Sequence, residues 1–424
     1  MQTYLFWRWP LAYFERSRER HGSRFTLRAT GHPPFAFVSD PEGVKAVSTA
    51  PADVLRPGEG GGTIGPLIGD RSFMLLDGEE HLSGRRAILP ALHERLVARH
   101  ADLVASVARR EVASWPRGRP FALHPRLHAM TLEIILRTVF DSAMDGSAMD
   151  GELRTLHGRL LAMLSITASA TLSEPVLRRG PGGVAWKRFL RQRDEVDELI
   201  YVLLEERRPA AGGDVLSRLL ATRNPDGSPL SRRQVRDNVL TVIVAGHETT
   251  ASELEWAFQL LAHNQGALRR LLGEIDRDAG EEYLLATVQE VLRHRPAFLF
   301  MIPRAVKRPI EIGGWTYRAP AHLLGCIYLL HHDPRIYARP HEFSPERFLA
   351  APPGAHTWLP WGGGRRRCPG RHMAMLHMKT VLRTVLSDVT VHPAASGIEG
   401  ARWRSVVVVP QRGSRVVLRS RKGA

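Results

Sequence analysis

Pro360-Trp361-Gly362-Gly363-Gly364-Arg365-Arg366-Arg367-Cys368-Pro369-Gly370 is the stretch on which the reading of this chain turns. Cys368 is one of only two cysteines in 424 residues, the other being Cys326. Glycines before it let the backbone turn tightly and approach a flat ligand. Three arginines precede it, and the segment 371–387 after it reads as a helix. Pro369 suits the first turn of that helix, where a missing N–H costs nothing. A thiol at a positive helix end beside cations is expected to have a lowered pKa. The pattern therefore points to a stabilised thiolate, one of the few recurrent ways of holding haem iron. A buried structural cysteine in a Gly/Arg loop is the alternative that this run alone leaves open.

Bulk composition narrows the field. Hydrophobic residues make up 43% of the chain, enough for a sizeable core, and two cysteines exclude a disulfide scaffold. The formal net charge is +16. Such a balance invites acidic partners, but the basic residues are dispersed, with no zinc-ligand spacing and no nucleic-acid recognition motif. Nucleic acid is therefore not expected as a partner. The apolar-aromatic patch at 4–14 is too short for a transmembrane span and is broken by Arg8 and Pro10. It is expected to pack on the core of a cytoplasmic protein.

Coarse periodicity predicts a hairpin over 24–39, a helix over 40–49 and a Gly-rich loop over 57–76. Helix then dominates from 84 to 295, with breaks near 142–151, 178–183 and 209–213. Strands return at 310–317 and 405–418. The expectation is a mainly α fold with small β-sheets, forming one large domain over 1–424. Its longest helix should span about 231–263. Mid-helix stand Ala245-Gly246-His247-Glu248-Thr249-Thr250. Ala245 and Gly246 would let a flat cofactor or O2 approach the backbone. The Thr249 hydroxyl is placed to bond the Ala245 carbonyl and open the helix locally. Glu248 beside Thr249 is a reasonable proton relay, although a solvated polar face would look the same in isolation.

Taken together, these residues resemble the cytochrome P450 family. Trp361, Gly364, Arg366, Cys368 and Gly370 match its haem-binding loop (360–370), with tryptophan where phenylalanine is usual. Ala245–Thr250 resembles its oxygen-activating helix motif. Glu290 and Arg293, with Arg347 of Pro345-Glu346-Arg347-Phe348, resemble its buried Glu–Arg–Arg triad, a folding device. His81 with Arg85, together with Arg304 and Arg366, match positions that reach the haem propionates. The resemblance covers roughly 25–420, and the proline-rich segment usual before the first strand is missing.

The resemblance implies a soluble bacterial-type haem-thiolate monooxygenase. Haem b (iron protoporphyrin IX) would lie between the long helix and the Cys-loop helix, with Cys368 as the iron ligand and Glu248 and Thr249 as catalytic residues. One atom of O2 would enter a lipophilic substrate such as a terpenoid, fatty acid or polyketide, in secondary metabolism. Desaturation, oxidative coupling, cyclisation and a non-turnover haem sensor are the alternatives. Ile64, Leu67, Phe73, Phe298, Leu299 and Phe300 are candidate pocket walls, and 157–205 a candidate lid. With no flavin domain recognisable, ferredoxin and its reductase are implied as separate partners. They would dock near Arg365 and Arg367, with Lys379 a weaker candidate.

Overall fold

The computed structural model describes residues 2–140, 149, 151–167, 183–206, 215–224 and 226–421. The three helix breaks expected near 142–151, 178–183 and 209–213 lie largely outside those residues, although Gly151 and Gly183, at the ends of the first two, already begin helices. Among the described residues the fold is mainly helical with four small sheets, in line with the mainly α fold with small β-sheets that the periodicity suggests.

Its axis is the helix Arg232–His263. Ser231 starts it by accepting from the Gln234 backbone N–H, while the Gln234 side chain accepts from the Ser231 N–H. This reciprocal cap satisfies two of the orphan donors of the first turn. At about 1.5 Å per residue, 32 residues cross the whole body. The helix is buried almost all round and packs along His124–Phe140. Gly246 permits that approach, because a Cβ there would sit 2.8 Å from Ile135 Cδ1.

The C-terminal half of this helix is stitched to distant chain. Ser252 Oγ and Trp256 Nε1 both donate to the Val408 carbonyl, at 2.9 and 2.8 Å. Glu253 accepts from the Ala297 N–H at 2.6 Å, and Ser414 Oγ donates to the Glu255 carbonyl at 2.9 Å.

The largest sheet runs in the order Arg24–Leu27, Phe35–Val38, His322–Gly325, Arg304–Val306, Leu55–Arg56. Its first two strands form the expected antiparallel hairpin. Asp40 caps the following helix, Pro41–Thr49, by accepting from the Gly43 N–H. The Gly-rich stretch is not a plain loop. Short helical turns form at Pro57–Gly60, Gly62–Ile64 and Gly65–Ile68. Asp77 makes this possible by accepting from the N–H groups of Gly58 and Glu59, at 2.8 and 3.2 Å.

The N-terminal aromatic patch folds as two helices, Gln2–Arg8 and Pro10–His21, and packs inward. Phe6 and Phe14 are buried against Phe300, Phe6 also against Trp403, and Tyr13 packs edge-on to Phe6 and Phe14. The Trp403 indole donates to the Phe6 carbonyl at 2.8 Å. No helix among the described residues is long and apolar enough to cross a membrane. The helices Gly151–Thr167 and Gly183–Glu206 pack on one another.

Glu290 and Arg293 are both fully buried. Arg293 spans the carboxylate through Nε and Nη2, at 2.7 and 2.8 Å. Arg347 Nε adds a third bond at 3.1 Å, and the Ser344 N–H a fourth at 2.9 Å. The second arm of Arg293 ties the carbonyls of His331 and Pro340, both at 2.8 Å. Removing one partner of such a pair leaves an uncompensated buried charge, costing about 3–5 kcal/mol. Glu290→Ala should therefore lower unfolding free energy by about that amount in urea titration. A loss below about 1 kcal/mol would mean that the two guanidiniums are satisfied by carbonyls alone.

Candidate active site

The Cys loop leaves Leu359 and reaches the helix Arg371–Asp388, which begins two residues beyond Pro369 and is capped by Gly370. Pro369 therefore precedes the first helical turn and does not occupy it. The loop is closed by the Cys368 N–H donating to the Trp361 carbonyl at 2.8 Å. Trp361 is half-buried on the main core, edge-on to Trp358. Gly364 has φ +63°, and a Cβ there would lie 2.0 Å from the Ser48 carbonyl oxygen. Only glycine meets both demands. Gly370 serves differently, since a Cβ there would stand 3.9 Å from the Cys368 sulfur.

Burial pushes the Cys368 thiol up, outweighing the Gly370 N–H and the cations Arg85, Arg371 and Arg367, which pull it down. The sequence favoured a lowered thiol because it shows the neighbouring charges and not the desolvation. Cys326, the second cysteine, is pushed further, to about 12, by complete burial. It is a core residue.

Four basic side chains group around Arg366, one of them, Arg85, facing Cys368. His81 is buried; its Nδ1 lies 2.8 Å from the Phe73 carbonyl, and its Nε2 has no partner among the described residues. Arg85, one helical turn on, faces Cys368 and Arg371. Arg304 is 4% exposed and its Nε is unpartnered among the described residues. Burial and then the Arg366 charge lower Arg304 to about 10. Arg366 is placed otherwise than the sequence suggested. It donates to the carbonyls of Met74 and Leu76 and, at 2.7 Å, to Asp77 Oδ1. It therefore clamps the 72–77 segment as well as adding positive charge. Asp77 carries no motif signal, and its role was not visible in the sequence.

This segment is fixed to the long helix. Phe73 N–H donates to Asn238 Oδ1 at 3.0 Å, and Thr241 Oγ1 to Ser72 Oγ at 2.7 Å. Met373, in the first turn of the Cys-loop helix, shares a buried cluster with Val239, Val242 and Ile243. One turn beyond, Ala245 is exposed although the helix around it is buried. Thr249 Oγ1 donates to the Ala245 carbonyl at 2.6 Å, as expected from the sequence. The site thus offers a thiol, an exposed helix step at Ala245 and an excess of basic groups over acidic ones. Those features fit a flat, dianionic, iron-bearing group such as haem.

The family model for cytochrome P450 matches residues 2–416. This chain belongs to the cytochrome P450 family. It is similar to the putative cytochrome P450 135B1 of Mycobacterium tuberculosis, at 33% identity over 99% of this chain and 89% of the relative. The putative cytochrome P450 137 of that organism is 34% identical over 94% of this chain and 84% of its own. Among solved structures, a retinoic-acid-bound cyanobacterial CYP120A1 superposes with a TM-score of 0.83 at 21% identity, covering 99% of this chain and 96% of its own. A zebrafish cytochrome P450 with progesterone gives 0.79 at 23% identity, over 97% and 99%. Membership makes this P450 an oxidoreductase, a haem-thiolate monooxygenase.

The remaining candidate residues fall into two groups. Glu248 is 3% exposed and lies 3.6 Å from Arg404 Nε, a partner on the strand Ala401–Arg404 that no sequence motif flagged. His247, read as incidental, is fully buried with Nδ1 3.0 Å from Thr131 Oγ1. Ile64, Leu67 and Phe73 belong to or border the cluster shared with the long helix. Phe298 is half-buried against Val407 and Val409. Leu299 and Phe300 pack instead into the aromatic core with Phe14 and Phe37. The reason is the chain's pull toward the N-terminal helices: the Tyr328 N–H also bonds the Leu299 carbonyl at 3.0 Å.

Burial raises Glu248 from 4.5 to about 7, against the pull of Arg404. Because its folded pKa lies above its unfolded value, its stabilising effect is complete below pH 4.5 and is lost as pH rises through about 7. Wild type should accordingly lose stability relative to Glu248→Gln across that window in pH-dependent thermal melts. Parallel curves for the two proteins would show Glu248 ionised throughout, paired with Arg404.

Proposed function

We propose that this P450 binds haem b through Cys368 and inserts one atom of O2 into a medium to large lipophilic molecule. What supports the reading is the packing of the Cys-loop helix on the long helix that carries Ala245 and Thr249, beside the basic group of His81, Arg85, Arg304 and Arg366. Bound at Cys368, haem would supply the O2 activation, which thiolate ligation favours. His81, Arg85 and Arg304 would hold its propionates by charge-assisted hydrogen bonds, and Arg366 would keep the 72–77 segment over them. Thr249 would hold a proton-donating water at the Ala245 carbonyl, with its own hydroxyl already directed there. Glu248, raised to about 7, is suited to take and give a proton near neutrality.

Ile64, Leu67, Phe73 and Phe298 supply apolar walls beside that step, which favours a terpenoid, fatty acid or polyketide over a polar substrate. The retinoic acid and progesterone of the two structural neighbours are ligands of that kind. A role in secondary metabolism, with hydroxylation as the outcome, is the corresponding physiological reading. Two free cysteines and the lack of an apolar spanning helix among the described residues support a cytoplasmic setting.

Electrons would come from a ferredoxin and its reductase docking on the exposed Arg365 and Arg367. Lys379 is less suited, being paired with Glu281. The decisive experiment is the absorption spectrum of reduced protein under carbon monoxide. A strongly red-shifted Soret band that Cys368→Ser abolishes is expected, and a short-wavelength band in wild type would remove the thiolate from the reading. For docking, Arg365→Glu with Arg367→Glu should slow reduction by an acidic ferredoxin at low salt and leave the carbon monoxide spectrum intact. Unchanged reduction would move the docking face elsewhere.

A further inference from the structure

On the side of the long helix that packs against His124–Phe140, three ligating side chains meet. His124 and His128 are one turn apart and so share a face of that helix. Their rings lie 4.0 Å apart between centroids. From the long helix comes Glu255, six residues beyond Thr249 and wholly buried. His124 Nδ1 lies 2.6 Å and His128 Nε2 3.1 Å from the same carboxylate oxygen, Oε1. One ligand atom from each of the three residues lies within 4.8 Å of the other two.

As a hydrogen-bonded cluster the arrangement is incomplete. Both imidazoles address one oxygen, and Oε2 is buried with no partner among the described residues. A buried carboxylate oxygen left unpaired is costly. A cation among the three groups would take one carboxylate oxygen and both nitrogens at once, and a water bound to it would serve the other oxygen. We propose that His124, His128 and Glu255 form a zinc site, separate from the haem centre, that braces the long helix against the neighbouring helix.

The donor set is two imidazoles and one carboxylate, a set that zinc accepts readily. Zinc bonds of about 2.1 Å in tetrahedral geometry place ligand atoms about 3.4 Å apart. The present separations therefore need shifts of under about 1 Å to close on the ion, and a water would complete the coordination. A route in exists, because the His124 side chain is 16% exposed, against 5% for His128 and none for Glu255. Arg402 and Arg404 also face Glu255 and oppose a cation there, but Arg404 is countered by Glu248 at 3.6 Å. Zinc would therefore join the two long-range contacts that already hold this turn, Ser414 to the Glu255 carbonyl and Trp256 to Val408.

The test uses untagged, haem-loaded protein equilibrated with zinc chloride, desalted and analysed for metal. About one zinc per chain is expected in wild type, falling to background in Glu255→Gln and His128→Ala. Zinc should raise the melting temperature of wild type, EDTA should reverse the rise, and His124→Ala should abolish it. Should the buried variants fail to retain haem, His124→Ala decides alone, because its side chain lies at the edge. A wild type that retains no zinc overturns the assignment, as does a His124→Ala variant with undiminished zinc. The carbon monoxide spectrum is unaffected by either outcome, so failure here leaves the haem-thiolate reading standing.

Discussion

One buried carboxylate governs the proximal half of this molecule. Glu290 is fully removed from water and satisfied by Arg293, Arg347 and the Ser344 N–H. Arg293 relays that fixed point outward through the carbonyls of His331 and Pro340. His331 Nε2 in turn accepts from the Leu359 N–H at 2.8 Å, at the entrance to the Cys loop. Trp358, donating to the Gln289 carbonyl at 3.2 Å, fastens the same entrance a second time. The position of Cys368 is thus set by a charge cluster that takes no part in its chemistry. Desolvation makes such a cluster a poor source of net stability and a strict source of geometry.

The distal half depends on the long helix and shows a division of labour along one turn. Gly246 faces Ile135 and permits close packing, Ala245 stays open, and Thr249 diverts its hydroxyl to the Ala245 carbonyl. His247 and Glu248 turn away into a buried polar region with Thr131 and Arg404. Five consecutive residues therefore serve packing, access and proton chemistry in turn, because successive side chains on a helix project about 100° apart.

Much of this was legible in the sequence, for reasons that differ by element. The long helix announced itself through apolar spacing, a local signal, while its Ser231–Gln234 cap emerged only with the structure. The Cys loop, the acid–alcohol pair and the Glu290 triad were readable as ordered motifs whose spacing survives in the chain. Asp77 and Arg404 were not, since their significance lies in partners 289 and 156 residues away that no local pattern encodes. Leu299 and Phe300 were assigned to a pocket by position after the triad helix; the aromatic core formed with the N-terminal helices claimed them. The surroundings of Cys368 were half legible for a related reason. Charge is written in the sequence, whereas the depth at which a group is buried is a property of the fold.

The stitching of the long helix to the far end of the chain bears on synthesis as well as on structure. Ser252 waits for Val408, 156 residues later, and Glu255 for Ser414, 159 residues later. A ribosome adding about 5–20 residues per second needs roughly 8–30 s to deliver those partners. Throughout that interval the inner face of the helix is made but cannot be covered by its own C-terminal sheet. The last strands therefore act as a closing latch, and the nascent polypeptide is most in need of chaperone shelter just before they emerge.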